Sequence, residues 1–345
     1  MPILSLGYNT LYYRFVRYLV TGAAGFIGQS LSKYLLFHGH RVLAIDSMNS
    51  YYSNELKKLR IKELYEFRDE NRFAFTQMNL CDKKIFPIVE NFAPETVVHL
   101  AAQPGVRLGL SGSTEYSRDN IEAFLKILRL TIAVNAKNFL YASSSSVYGS
   151  TSKIPFSEKE NSLRPTSIYG VTKLANELFT STTIESEVRG RGLRFFSVYG
   201  PKGRPDMAYF RAIAASFLGT TFYMNGTGEI ARDFTFIDDV CESIMLLGED
   251  LSKRSPGFSD VVNIGGGVPI TINRLIDVIS QKTRRPIDVV KKNALRDDLE
   301  LTKADYGYLY SLINKKKFTD FDTGISKTIS WFAQYPNSTI CTWLD

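Results

Sequence analysis

The chain has 345 residues, 44% of them hydrophobic and 22% charged, with a formal net charge of +7. This balance excludes a disordered or fibrous protein and leaves enough chain for a large core in two lobes. No run reaches about 18 consecutive apolar residues, so no helical membrane span is expected, and acidic residues interspersed among the basic ones argue against a nucleic-acid footprint.

Residues 1–20 are apolar and aromatic, but Arg14 and Arg17 follow the apolar part, the wrong order for a secretory signal. They read as an irregular extension into a first strand at 17–21. The run Gly22-Ala23-Ala24-Gly25-Phe26-Ile27-Gly28 follows as a turn, then a helix over about 26–38, with Ile27, Leu31, Leu35 and Leu36 at helical spacing and Gly39 as its stop. Residues 41–45 are a second apolar strand with Asp46 at its carboxyl end. Residues 55–70 read as a charged amphipathic helix whose basic run from Lys57 to Lys62 marks a solvated face. Strands follow at 73–78 and 96–100, a helix at 121–134, and a strand at 139–142 that ends in Ser143-Ser144-Ser145-Ser146. Strand alternating with helix is the signature of an α/β, doubly wound parallel sheet covered on both faces, here residues 15–196. After Phe196 the alternation breaks at Pro201, Gly203 and Pro205. The remainder reads as a smaller lobe of residues 197–233 and 267–345, with 234–266 returning to the first domain through strand pieces near 234–240 and 261–265. Cys81, Cys241 and Cys341 are far apart and lack metal-ligand spacing. They read as small buried or partly buried residues in a reducing cytosol, with neither a disulfide nor a metal expected.

Three motifs carry chemistry. Gly22, Gly25 and Gly28 lie between a strand and a helix, where glycines let the backbone approach a pyrophosphate and the helix N-terminus favours its charge. Asp46, 18 residues beyond Gly28, is placed to accept hydrogen bonds from an adenosine ribose and to repel a 2′-phosphate, which favours NAD over NADP. Tyr169 and Lys173 are four apart and share a helix face. The Lys173 ammonium is expected to lower the phenol pKa from its ordinary value near about 10. Such a tyrosine takes a proton from a hydroxyl that a serine such as Ser144 holds in place. In chain order, the glycine turn, serine strand and Tyr/Lys helix describe an enzyme that oxidises a secondary alcohol with a nicotinamide cofactor.

The segments TGAAGFIG at 21–28, HLAAQPGVR at 99–107, SSSSVYG at 143–149, YGVTKLANE at 169–177, LRFFSVYGPKGRPDMA at 193–208 and RDFTFIDDV at 232–240 resemble the extended short-chain dehydrogenases/reductases of the sugar-nucleotide epimerase group. Within that group the chain is most similar to UDP-glucuronate 4-epimerases, through the QPGVR and GRPDMA segments. The resemblance implies Tyr169 as general base, Lys173 as its electrostatic partner on the nicotinamide ribose, and Ser144 on the substrate 4-hydroxyl with Ser145 and Ser146 nearby. It implies a cofactor lining of Phe26, Ile27, Asp46, Asn49, Asn79, Leu80, Ala101, Ala102 and Asn120. Ser197, Arg204 and Met207 would face the sugar, Arg204 taking a carboxylate, with Arg107 a second basic group; Arg232 would bind the diphosphate and Asp298 the uridine. The chain departs from the family at Ser197, usually Asn or Thr, and at Leu295, where a basic residue is expected and Arg296 stands beside it. A homodimer through helices near 117–135 and 166–189 is also implied, with Ile121, Phe124, Leu125, Leu128, Leu174 and Leu178 as apolar positions. The expected reaction is epimerisation at C4 through a 4-keto sugar. UDP-glucose or UDP-N-acetylglucosamine epimerisation, UDP-glucuronate decarboxylation and a non-catalytic NAD-binding sensor are the alternatives. Ser145-Ser146 stand where a 4,6-dehydratase needs an acid pair, which disfavours dehydration.

Overall fold

The strands of the computed structural model are, in chain order, β1 (Arg17–Thr21), β2 (Arg41–Asp46), β3 (Phe73–Gln77), β4 (Thr96–His99), β5 (Asn138–Ser144), β6 (Arg189–Phe195), β7 (Ser197–Tyr199), β8 (Phe222–Asn225), β9 (Ala231–Phe236), β10 (Ser259–Ile264), β11 (Pro269–Thr271) and β12 (Val289–Lys292). The structure describes residues 15–105, 109–150, 153–184, 187–266, 268–294, 299–314 and 317–344. Seven strands form one sheet in the order β10-β6-β5-β4-β1-β2-β3, every pair parallel. A parallel sheet is covered on both faces, so its strands are apolar runs rather than alternations. Accordingly Leu19, Val20, Val97, Val98, Phe139 and Leu140 are fully buried. Truncating such a ring, as in Phe139→Ala, costs about 3–5 kcal/mol.

The strand order reverses at β1, which lies between β2 and β4. Crossovers on either side of that point leave a crevice at the carboxyl ends of the strands, where ligands of open α/β sheets bind. The glycine turn after β1, Asp46 at the end of β2 and Ser144 at the end of β5 all open onto it.

Four elements differ from the sequence pattern. Phe234–Phe236 does not return to the main sheet: it belongs to β9, which pairs with β7 and β11 in a separate three-stranded sheet. Residues 237–252 are a helix instead of a strand, because Ile237, Val240, Cys241, Ile244, Met245, Leu247 and Leu251 fall at helical spacing and are buried. That helix packs on the Phe26–Phe37 helix, and β10 joins the main sheet beside β6. A helix at Ile85–Phe92 was not legible because Pro87 stands in its first turn, where proline is tolerated. The helix expected from 121 begins earlier, as a wide π-helical turn over Tyr116–Glu122 before the α-helix Ala123–Ala133. Cys341 is exposed rather than buried.

Candidate active site

The glycine turn is shaped by close approach. Gly22 sits at φ +69°, where a Cβ would lie 2.7 Å from the Ala101 nitrogen; at Gly28 a Cβ would lie 2.1 Å from the Gly22 carbonyl oxygen. No side chain fits at either position. The turn therefore leaves a bare backbone cradle at the N-terminus of the Phe26–Phe37 helix, the shape and polarity that a dinucleotide diphosphate requires. Asp46 is fixed beside it, Oδ2 accepting from the Ala24 amide at 3.0 Å and Oδ1 from the Met48 amide at 2.7 Å.

One cavity of about 680 Å³ runs from this cradle to Ser197, Arg204 and Arg232, within the size range of small-molecule sites. Gly22, Gly25, Phe26, Ile27, Gly28, Asp46, Asn49, Asn79, Leu80, Ala101 and Ala102 line one part of it, and Ser144, Ser145, Ser146, Tyr169, Lys173, Ser197, Arg204, Met207 and Arg232 line the rest. Asn120 is not on the wall. It is 1% exposed and holds the wall from behind, Oδ1 accepting from the Gln103 amide at 2.7 Å and Nδ2 donating to Thr172 Oγ1 at 3.1 Å. It therefore joins the strand-end loop to the Tyr/Lys helix. Arg107, Asp298, Leu295, Arg296 and residues 1–14 lie outside the described residues.

Tyr169 and Lys173 project from the Ile168–Thr183 helix, whose N-terminus is capped by Ser167 Oγ accepting from the Gly170 amide at 3.1 Å. Lys173 Nζ lies 5.7 Å from the Tyr169 ring centroid and donates to the Ala142 carbonyl at 2.9 Å. Burial pulls the Lys173 pKa down to about 8. The expected lowering of the Tyr169 pKa is corrected: burial raises it, and the Arg204 charge and the Ser144 hydroxyl pull the other way. Desolvation of a phenolate outweighs the neighbouring charge.

A buried polar network holds the serine strand behind the cavity. Glu177 accepts from Arg194 Nε and Nη2 at 2.9 and 2.7 Å and from Ser143 Oγ at 2.5 Å. Glu177 is one helical turn beyond Lys173, so this two-pronged pair fixes β5, β6 and the Ile168–Thr183 helix together. Arg204 makes the same kind of fork with Asp206, at 3.0 and 2.8 Å. Arg232 Nη1 donates to the Ala231 and Leu299 carbonyls at 3.0 and 2.6 Å.

The cavity also takes Tyr51, Tyr52, Lys57 and Asp119, which the motifs did not mark. Nor is the Lys57–Lys62 run a solvated face throughout. Lys57 is 3% exposed and Arg60 fully buried. The signal was present in the spacing, since Leu56, Lys57, Arg60, Ile61 and Leu64 share the buried face of the Asn54–Leu64 helix. Burial lowers the Lys57 pKa to about 8, the nearby Asp46 carboxylate raises it in part, and Arg60 pushes it further down.

Residues 18–265 match the family model described as the NAD dependent epimerase/dehydratase family. The chain belongs to that family. Protein CapI of Staphylococcus aureus is 35% identical over 335 residues, 93% of this chain and 99% of that protein. UDP-glucuronate 4-epimerase 4 of Arabidopsis thaliana is 34% identical over 340 residues, 92% of this chain and 75% of that protein. Among solved structures, the UDP-glucuronic acid 4-epimerase of Bacillus cereus, in complex with UDP-glucuronic acid and NAD, superposes with a TM-score of 0.83 at 28% identity, over 92% of this chain and 99% of that one. The chain is an NAD-dependent enzyme of the epimerase fold, and its glycine cradle and Asp46 carboxylate fit that cofactor.

Proposed function

We propose that this enzyme epimerises C4 of a UDP-sugar, interconverting UDP-glucuronate and UDP-galacturonate. The observation that carries the reading is the arrangement of one cavity: the Ser144, Tyr169 and Lys173 set and the Arg204 guanidinium open onto the same space. The named activity of the Arabidopsis and Bacillus relatives supports it. In this reading Gly22, Gly25, Phe26, Ile27, Gly28, Asp46, Asn49, Asn79, Leu80, Ala101 and Ala102 hold NAD, and Asn120 supports that wall from behind.

NAD supplies the hydride acceptor and then the hydride donor for sugar C4, and so ends the cycle as it began. Ser144 positions the C4 hydroxyl, with Ser145 and Ser146 beside it. Tyr169 would act as the phenolate, its charge offset by Lys173, taking the hydroxyl proton as the C4 hydride leaves for the nicotinamide and the alcohol becomes a ketone, and returning a proton when the alcohol is restored on the other face. Lys173, held by the Ala142 carbonyl, supplies positive charge near the phenol. Arg204 reads the C6 carboxylate, Ser197 and Met207 bound the sugar, and Arg232 anchors the diphosphate while the ring turns. Arg107 and Asp298 are assigned to the sugar side and the uridine by family resemblance. Nuclear magnetic resonance of the products from UDP-glucuronate tests the reading.

We further propose a homodimer through the Ala123–Ala133 and Ile168–Thr183 helices. Val171 and Leu178 are 54% and 58% exposed on the second helix, and Ile132 is 39% exposed on the first. Two of the apolar positions expected at such an interface, Phe124 and Leu128, instead face the protein's own core, at 1% and 0% exposure.

A further inference from the structure

Arg60 is fully buried, yet among the described residues no carboxylate lies within ion-pair distance of it. Its five N–H groups go to neutral oxygens. Nε donates to the Lys202 carbonyl at 3.1 Å, and Nη1 to the Ala24 carbonyl at 3.0 Å and to the Tyr52 hydroxyl. Nη2 donates to the Lys202 and Gly203 carbonyls at 2.7 and 2.9 Å. Every donor has a partner, but among the described residues the charge has no counter-ion, and a buried cation without one is strongly disfavoured. Its cationic neighbours are differently placed: Lys202 pairs with Glu63, and Lys57 has Asp46 nearby.

The partners of Arg60 are specific. Ala24 lies in the glycine turn, between Gly22 and Gly25, which line the cavity. Gly203 directly precedes Arg204, and Tyr52 lines the cavity as well. One guanidinium therefore grips the backbone beneath the cofactor diphosphate and the backbone that carries Arg204. We propose that Arg60 is a positioning residue coupling the two ligand sites: it lends positive charge to the NAD diphosphate and ties the cofactor turn to the substrate segment. A ligand that orders the shared backbone at one site favours binding at the other, and the effect is equal in both directions. The proposal rests on the placement of the sugar nucleotide beside Arg204, but not on which sugar it carries.

The test measures NAD affinity in wild type, Arg60→Met and Arg60→Lys, each with and without saturating UDP, the moiety shared by every candidate substrate. Wild-type NAD affinity rises with UDP by a factor in the range of about 5 to 150. Arg60→Met binds NAD about tenfold or more weakly, the loss of a charge-assisted partner, and UDP no longer tightens it. Arg60→Lys keeps the charge but has three donors against five, so it retains most of the NAD affinity and loses most of the UDP effect. Wild-type NAD affinity and an unchanged UDP effect in Arg60→Lys would overturn the proposal, even where Arg60→Met fails to fold. So would the absence of any UDP effect in wild type. A failure to convert UDP-glucuronate, by contrast, strikes the substrate reading alone and leaves these binding measurements intact.

Discussion

Arg204 grips Asp206 through two hydrogen bonds, Nε to Oδ1 at 3.0 Å and Nη2 to Oδ2 at 2.8 Å. Asp206 thereby fixes the guanidinium on the wall of the cavity that also holds Tyr169. Arg204→Ala is therefore expected to reduce kcat/KM for UDP-glucuronate far more than for UDP-glucose, whose C6 carries no charge. A charge-assisted bond of about 1.5–3 kcal/mol corresponds to roughly ten- to a hundred-and-fifty-fold. Equal losses for both sugars would mean that Arg204 shapes the pocket and does not read the acid.

Tyr169→Phe removes one oxygen from a half-buried ring and little packing volume. Turnover should fall by about 10²–10⁴-fold, the usual scale of acid–base catalysis, while NAD remains bound after gel filtration. Near-wild-type turnover in the variant would remove Tyr169 from the proton path.

Much of this site was legible because its signals are local. The glycine turn, Asp46, the serine run and the Tyr169/Lys173 spacing each follow from a strand end or one helix turn, and parallel strands announce themselves as apolar runs. The second sheet was not legible: β7 and β11 have three residues each, too few for a pattern. Arg60 was hidden by composition, since a basic run reads as solvent-facing until its position on the Leu56–Leu64 stripe is weighed. The Tyr169 pKa was misread because spacing reveals the nearby lysine and says nothing of burial.

Stability should fall in mild acid. Burial lowers the pKa of His99 to about 3, with Lys173 adding to the effect, and that of His40 to about 4, with His38 adding to it. Unfolded histidines titrate near about 6.5, so below that pH the unfolded chain binds more protons and folding weakens. The contribution is whole above about 6.5 and drains away towards about 4 and then 3. Melting temperature should drop between pH 7 and pH 5, and His40→Gln with His99→Gln should flatten that slope. An identical slope in the double variant would assign the acid sensitivity to other groups.

The exposed Val171 and Leu178 offer a check on assembly. Light scattering at micromolar concentration should give twice the chain mass for the wild type, and the single chain mass for Val171→Glu with Leu178→Glu. A wild-type monomer would leave these side chains as ordinary surface.

The most direct test of the central claim is to incubate the purified NAD-loaded protein with UDP-glucuronate and identify products by nuclear magnetic resonance. The account predicts UDP-galacturonate, with the C4 hydrogen retained from the substrate, no carbon dioxide and no net reduction of NAD. A pentose product with release of carbon dioxide, or unchanged UDP-glucuronate alongside conversion of UDP-glucose, would contradict it.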